Sequence, residues 1–80
     1  MSILIDYIIK NKDIDYNSID NIEKYVGMTD EYGNTALMCY LSKVLYPDVI
    51  KISQLLRKEI GMVNNNNETA LMNYIEKRNS

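Results

Sequence analysis

The stretch KYVGMTDEYGNTALMCYL, residues 24–41, recurs 34 positions later as KEIGMVNNNNETALMNYI, residues 58–75. The identical residues fall in one register, and they are Lys24/Lys58, Gly27/Gly61, Met28/Met62, Thr35/Thr69, Ala36/Ala70, Leu37/Leu71, Met38/Met72 and Tyr40/Tyr74. The six residues between the shared methionine and the shared threonine differ at every position. A fixed period of this size is typical of proteins built from stacked repeats. The sequence therefore predicts a repeat architecture.

The segment from Thr35 to Val44 has the pattern of an amphipathic helix, with apolar residues three and four positions apart. The hydroxyl of Thr35 is suited to cap its first turn. Pro47 ends this helix, and Asp48 is expected to cap a second one that stops at Gly61 in a left-handed conformation. The residues expected on the buried side of the second helix are Val49, Ile52, Leu55, Leu56 and Ile60. Each unit is thus predicted to be a pair of antiparallel helices followed by a turn.

The two variable segments, TDEYGN at residues 29–34 and VNNNNE at residues 63–68, are predicted to be exposed turns. Asp, Asn and Gly favour turn geometry, and Asn tolerates left-handed backbone angles better than most residues. The helices keep their sequence between copies, whereas the turn tips vary because they face solvent.

Incomplete units are predicted on both sides of the central one. Before it, Ser2 would cap a first helix, and Asn17 or Ser18 would cap a second. The apolar residues expected to be buried there are Ile3, Leu4, Tyr7, Ile8, Ile19, Ile22 and Val26. After it, the sequence from Thr69 to about Lys77 predicts a first helix without a partner helix.

Together these units predict one all-α domain over residues 1–80, a short solenoid of about two and a half helix-turn-helix repeats. Its expected divisions are a degenerate N-terminal unit at 1–29, a central repeat at 30–63 and a C-terminal half repeat at 64–80.

The composition restricts the classes of partner. A net charge of −2, without a basic stripe, argues against nucleic-acid binding. Most acidic residues lie in the first 34 positions, which is compatible with a solvated surface or with a mildly acidic face for a basic partner. No apolar run approaches the ~20 residues that span a bilayer, so no membrane partner is expected. The single cysteine, Cys39, predicts a packed thiol and a reducing, cytoplasmic location.

An enzyme is not expected. The chain has no histidine, the commonest general base and metal ligand, and its three glycines are isolated rather than forming a phosphate-binding loop. The acidic pair Asp13 and Asp15 lies in a sequence typical of a solvated turn, and Tyr40 and Tyr74 fall at core positions. We therefore predict no catalytic residue, no cofactor and no metal.

The repeated segment resembles a known family. DEYGNTALM is similar to the D-x-x-G-x-T-P-L-H signature of ankyrin repeats, with Asp30, Gly33, Thr35 and Leu37 at matching positions. In the second copy Asn64 takes the place of the aspartate and Asn67 that of the glycine. The wording TALM and EIGM is closest to ankyrin repeats of some protists. The period of 34 and the bulky pairs at residues 40–41 and 74–75 depart from the family pattern.

The resemblance implies a protein-binding module, an adaptor or a small inhibitor, that contacts an unidentified protein through its turn tips and first-helix surface. Carried over position by position, the expected contact residues are Glu31, Tyr32, Asn34, Ser42, Lys43, Asn65, Asn66 and Glu68, with Thr29, Val63, Glu76 and Lys77 at neighbouring positions. Tyr32 is the strongest candidate, because tyrosine offers a large contact area at a low entropy cost. A turn residue that leans on its own hairpin is the alternative for Tyr32.

The open C-terminal end supports a different function. An apolar strip is expected to remain uncovered there, formed by Leu71, Met72 and Ile75 together with Ile52 and Leu55. A homodimer through the C-terminal half repeat, a partner that covers the end, or a place within a longer repeat scaffold would each bury this strip. A viral or host-directed effector and a segment of a cellular scaffold both fit such a module.

Overall fold

The computed structural model describes residues 2–15 and 17–79, and Met1, Tyr16 and Ser80 of the predicted domain lie outside the described residues. The elements in this part of the chain are helices α1 (Ile3–Asn11), α2 (Ala36–Lys43), α3 (Ser53–Glu59) and α4 (Ala70–Asn79), with a 3₁₀ turn at Ile22–Tyr25. The same residues contain no β-strand, and an isolated bridge joins Thr29 to Thr35. The predicted all-α class is therefore confirmed.

Helix α2 is the central element, and it packs against α1, α3 and α4, while α1 also contacts the 3₁₀ turn. The buried apolar core comprises Leu4, Ile5, Ile8, Ile14, Ile19, Ile22, Ala36, Leu37, Met38, Cys39, Tyr40, Ile52, Leu55 and Ala70. Full burial of a leucine, isoleucine or methionine side chain contributes about 1.5 to 3 kcal/mol to the free energy of folding, before the loss of side-chain entropy is subtracted. As predicted, Tyr40 and Cys39 are core residues.

Helices α1, α2 and α4 all begin directly after a hydroxyl side chain. The hydroxyl of Ser2 accepts hydrogen bonds from two N–H groups in the first turn of α1, at 3.0 and 3.3 Å. The hydroxyls of Thr35 and Thr69 each accept from the N–H three residues further on, at 3.3 and 3.2 Å. These bonds satisfy amides that have no partner within the helix. The predicted caps at Ser2 and Thr35 are confirmed, and the same cap recurs in α4.

The turns before α2 and α4 have the same geometry. The Oδ1 atom of Asp30 accepts from the N–H groups two and four residues further on, both at 2.9 Å. The Oδ1 atom of Asn64 accepts from the same two relative positions, at 2.9 and 3.0 Å. Gly33 and Asn67, the third residues after them, are left-handed, with φ of 80° and 62°. The variable segments are thus one kind of turn built from different residues.

The predicted second helix of the central repeat is shorter than expected. The Oδ1 atom of Asp48 accepts from the N–H groups of Ile50 and Lys51, which makes a turn ahead of α3 rather than a cap on it. Helix α3 therefore starts only at Ser53 and ends at Glu59. Val49 and Ile60 fall outside it and are exposed, so their predicted burial is wrong.

The predicted left-handed stop at Gly61 is also wrong. Helix α3 ends before this glycine, at Glu59, and the residue after Glu59 keeps right-handed angles. The left-handed glycines in the described chain are Gly27 and Gly33. The two sequence-equivalent glycines, Gly27 and Gly61, therefore differ in conformation.

The N-terminal unit departs further from the expected hairpin. Ser2 caps α1 as predicted, but Ile3 is exposed and Ile5 takes its place in the core. The predicted second helix is reduced to the 3₁₀ turn, and neither Asn17 nor Ser18 caps it. The carboxylate of Asp15 instead accepts from the N–H of Asn17 and the hydroxyl of Ser18, which favours a local turn over a helix start.

The C-terminal end is open in part. As expected, Leu71, Met72 and Ile75 on α4 are 50% to 58% exposed. Ile52 and Leu55 are fully buried, so the expectation that they join the open strip is wrong. Ile52, directly before α3, and Leu55 within α3 both lie in the core with residues of α2.

Candidate functional site

A polar groove of about 340 Å³ lies between the two turn tips and the first helices that follow them. The residues that line it are Tyr32, Asn34, Met38, Cys39, Ser42, Asn64, Asn66, Glu68 and Asn73. They come from both turns, from α2 and from α4. The equivalence of the two turns therefore creates the groove, because each turn contributes one wall.

Hydrogen bonds join the two turns directly and set the spacing of the groove walls. The N–H of Asn65 donates to the carbonyl oxygen of Tyr32 at 3.0 Å. The side-chain amide of Asn64 donates to the Oδ1 atom of Asn34 at 3.0 Å, and also to Glu68 at 3.1 Å. Asn64 is itself buried, with four hydrogen bonds made by its side chain. A connected network of polar groups therefore holds the two turn tips together at the floor of the groove.

Close packing at Gly33 tightens the junction between the turns. A Cβ atom at this position would lie 2.9 Å from the backbone nitrogen of Asn65 and 2.6 Å from its Oδ1 atom. Only a residue without a side chain permits this approach, and Gly33 also has a left-handed φ of 80°.

Five of the eight predicted contact residues line the groove: Tyr32, Asn34, Ser42, Asn66 and Glu68. Glu31 and Asn65 lie together at the exposed tip beside it, where the Asn65 amide donates to the Glu31 carbonyl oxygen at 3.4 Å. Lys43 is exposed at the last residue of α2 and does not line the groove.

The free polar groups of the groove can recognise a polypeptide. Tyr32 is 64% exposed, which leaves its ring accessible rather than packed on its own hairpin. Over residues 2–15 and 17–79, the side chains of Asn66 and Asn73 make no hydrogen bond with the rest of the protein. An amide side chain both donates and accepts, so it can pair with peptide N–H and C=O groups. The groove therefore presents unpaired amide groups beside an exposed aromatic ring.

Four lining residues were not among the predicted contacts: Met38, Cys39, Asn64 and Asn73. Asn64 could have been found from its alignment with Asp30, since both positions require a turn acceptor. Burial, followed by the nearby carboxylate of Asp30, raises the pKa of Cys39 to about 11. This thiol stays protonated at neutral pH and is a packing group in the groove floor.

A buried carboxylate lies away from the groove and was not singled out in the sequence. Glu59 is fully buried, and its two oxygens accept from the N–H groups of Gly27, at 2.6 Å, and Leu37, at 2.8 Å. Burial raises the pKa of the Glu59 carboxyl, while these bonds and the Thr35 hydroxyl oppose the rise. Glu59 lies on the same helix face as Ile52 and Leu55, and this spacing could have predicted its burial from the sequence. Glu59 holds α3 to the start of α2.

The prediction that Asp13 and Asp15 lie in a solvated turn is confirmed, since Asp15 is exposed and Asp13 is about half exposed. Asp13 forms an ion pair with Lys51 at 3.1 Å. The hydrogen bond from the Ile14 N–H, and then the Lys51 ammonium, hold the pKa of Asp13 below its ordinary value. Both partners are about half exposed, so the pair contributes little to stability.

No protein-family model, curated protein or solved structure matches this chain. Among the described helices none is long and apolar enough to cross a membrane. In residues 2–15 and 17–79, no group of three or more acidic or cysteine side chains is placed to hold a metal ion.

Proposed function

We propose that this chain is a non-enzymatic protein-binding module, an adaptor or small inhibitor, whose partner occupies the polar groove between the turn tips. The observation that carries the proposal is the convergence of Tyr32, Asn34, Ser42, Asn66 and Glu68 on one groove. Asn66 and Glu68 lie 34 positions after Tyr32 and Asn34, and Ser42 lies on α2 between the two turns. We also propose a cytoplasmic location, which rests on the lone, unpaired Cys39.

The architecture we infer for the module is a short ankyrin-like solenoid. The support comes from the repeated acceptor at Asp30 and Asn64, the left-handed residue three positions later, and the hydroxyl cap at Thr35 and Thr69. In such a stack each unit buries its faces against its neighbours, so binding falls to the tips and the outer side of the first helices.

The chemistry of the groove favours a protein partner over a small substrate. Its walls present amide, hydroxyl, phenol and carboxylate groups. The two sulfur groups among them are the Met38 thioether and the Cys39 thiol, and the pKa of this thiol is raised to about 11. The polar groups suit hydrogen bonds to an extended segment and to polar side chains. The exposed ring of Tyr32 supplies an aromatic anchor of the kind enriched at binding hot spots.

A matched pair of tyrosine variants tests this proposal. Tyr32→Ala removes a 64%-exposed tyrosine at the groove, and Tyr46→Ala removes an 80%-exposed tyrosine elsewhere. Quantitative affinity capture from cells that express the protein should recover the same partner with wild type and Tyr46→Ala. Recovery should fall at least about tenfold with Tyr32→Ala, and also with Ser42→Arg, which fills the groove. Equal recovery by all four proteins would contradict the proposal, provided circular dichroism shows that they are folded.

A further inference from the structure

The three capped helices carry the same apolar positions, and the last helix leaves them uncovered. Counted from the caps Ser2, Thr35 and Thr69, the second, third and sixth residues are apolar in each helix. The three sets are Leu4/Ile5/Ile8, Leu37/Met38/Leu41 and Leu71/Met72/Ile75. The first set is fully buried and the second is buried or half-buried, whereas the third is 50% to 58% exposed. The outer face of α4, defined here as Leu71, Met72 and Ile75, therefore repeats a surface that the fold covers in the two earlier units.

In the central unit, α3 packs on α2 and contributes to the cover of this surface at Leu37. Leu37 shares the buried core with Ile52 and Leu55. The N–H of Leu37 donates to the carboxylate of Glu59 at 2.8 Å. Around Leu37, residues 52–59 therefore contribute two aliphatic side chains three residues apart and a carboxylate four residues after the second.

The corresponding contacts are unfilled at α4. Met72 N–H is capped by Thr69, but within the described residues the N–H of Leu71 has no acceptor. A free amide in the first turn of a ten-residue helix attracts an acceptor of negative charge. The outer face thus combines an apolar strip with an unfilled donor at one end, in the arrangement that α3 fills on α2.

We propose that the outer face of α4 binds an amphipathic helix from outside residues 1–80, with the pattern that Ile52, Leu55 and Glu59 form at α3. The aliphatic residues of that helix cover Leu71, Met72 and Ile75, and its glutamate or aspartate accepts from the Leu71 N–H. The contact repeats on α4 the packing of α3 on α2.

A second copy of this chain does not supply the required helix. Its own Ile52, Leu55 and Glu59 are 1%, 0% and 0% exposed, so they are committed to the copy's own core. Presenting them would require α3 to leave that core. The occupant is therefore a different segment that carries the same pattern on an accessible helix.

Titration of the full chain with a synthetic peptide tests the proposal. The probe has the sequence of residues 44–62, which contains the α3 pattern free of its core. We expect saturable NMR shifts at the Met72 methyl group and the Leu71 amide. Replacing the peptide's glutamate, Glu59→Gln, should weaken binding about tenfold through loss of the charge-assisted bond. The peptide variant Leu55→Asp and the protein variant Ile75→Asp should abolish the shifts.

A second measurement keeps the proposal testable if the free peptide does not form a helix. In this variant a copy of residues 44–62 is joined directly after Lys77. Lys77 is the equivalent of Lys43, the residue that precedes residue 44 in the central unit. We expect the thermal midpoint to rise by about 5 °C or more, with Met72 protected from oxidation. The same extension with aspartate in place of the copied Leu55 should give no rise in the thermal midpoint.

Either positive result supports the proposal. Failure of both the titration and the extension overturns it. A dimer of the unmodified chain in light scattering, dissociated by Ile75→Asp, also overturns it, because a second copy then occupies the face. All of these outcomes are independent of the polar groove, which Ile75→Asp leaves intact.

Discussion

The carboxylate of Glu59, at the last residue of α3, accepts a hydrogen bond from the N–H of Leu37 in the first turn of α2, at 2.8 Å across 22 residues of sequence. Its second oxygen accepts from the Gly27 N–H at 2.6 Å. One buried side chain thus joins the end of one helix, the start of another and the segment that leads to the first turn tip. A buried carboxylate is tolerated only when such partners replace its hydration.

Glu59→Gln should therefore destabilise the protein. A glutamine side chain has one acceptor oxygen, and its NH₂ group is itself a donor. Either the Gly27 N–H or the Leu37 N–H would therefore lose its acceptor. We expect a loss of about 2 kcal/mol in the free energy of unfolding. Urea denaturation measures it, with Glu76→Gln on the exposed side of α4 as the matched control. A loss no greater than that of the control would show that the two hydrogen bonds contribute little.

The stability should also depend on pH through Glu59. Burial raises the pKa of this carboxyl above the ordinary value of 4.5, so the folded state binds the proton more tightly than the unfolded state. The resulting stabilisation is fully present below pH 4.5 and is lost as the pH rises through the folded-state pKa. The difference in unfolding free energy between wild type and Glu59→Gln should grow as the pH falls from neutral to 4.5. Asp13 acts in the opposite direction, but only near and below its ordinary pKa of 3.8. A difference that is constant over this window would contradict the assignment.

The three glycines should respond to alanine in a fixed order. Gly33→Ala forces a left-handed alanine whose Cβ meets the Asn65 backbone, so a loss of about 2 to 3 kcal/mol is expected. Gly27→Ala has open space but a φ of 90°, and should cost about 1 kcal/mol. Gly61→Ala meets neither obstacle and should be neutral or stabilise by up to about 1 kcal/mol. Chemical denaturation of the three variants gives the order, and a cost for Gly61→Ala equal to that of Gly33→Ala would be incompatible with the structure.

Cys39 should resist thiol reagents in the folded protein. Burial and the Asp30 carboxylate raise its pKa to about 11, and the thiolate is the reactive form. We expect reaction with an aromatic disulfide reagent at neutral pH only after denaturant is added. A variant with Cys39→Ser and Ser42→Cys places a thiol on the exposed rim of the same groove and should react quickly. Rapid native-state modification of Cys39 would mean that the groove floor opens readily.

The local features of the fold were predictable because their causes are local. The cap at Thr35 recurs at Thr69, and the turn acceptor at Asp30 recurs at Asn64, since each needs only its own neighbours. The groove itself was not predicted, but five of its lining residues were among the contacts that the ankyrin resemblance implied. Asn73 was missed because its side chain enters the groove only once α4 packs on α2.

Features that depend on tertiary competition were not predictable from the pattern. Val49 and Ile60 have the spacing of a buried helix face, but the side chain of Asp48 captures two amides and delays the start of α3. Glu59 carries a charge at a core position, which a hydrophobic pattern treats as solvent-facing. The first unit matches the other two when the units are aligned on their capping residues, although Ser2 does not lie 34 positions before Thr35. In that alignment Tyr7, Tyr40 and Tyr74 each lie five residues after the cap.

The equivalence of the two near-duplicate passages is the claim on which the groove and the open α4 face both depend. Solution NMR tests it most directly, by measuring the φ angles at Gly33 and Asn67 from scalar couplings and short-range NOEs. We expect positive φ at both residues, near the 80° and 62° of the structure, with helices beginning after Thr35 and Thr69. A negative φ at Asn67, or an extended strand over residues 63–69, would contradict it.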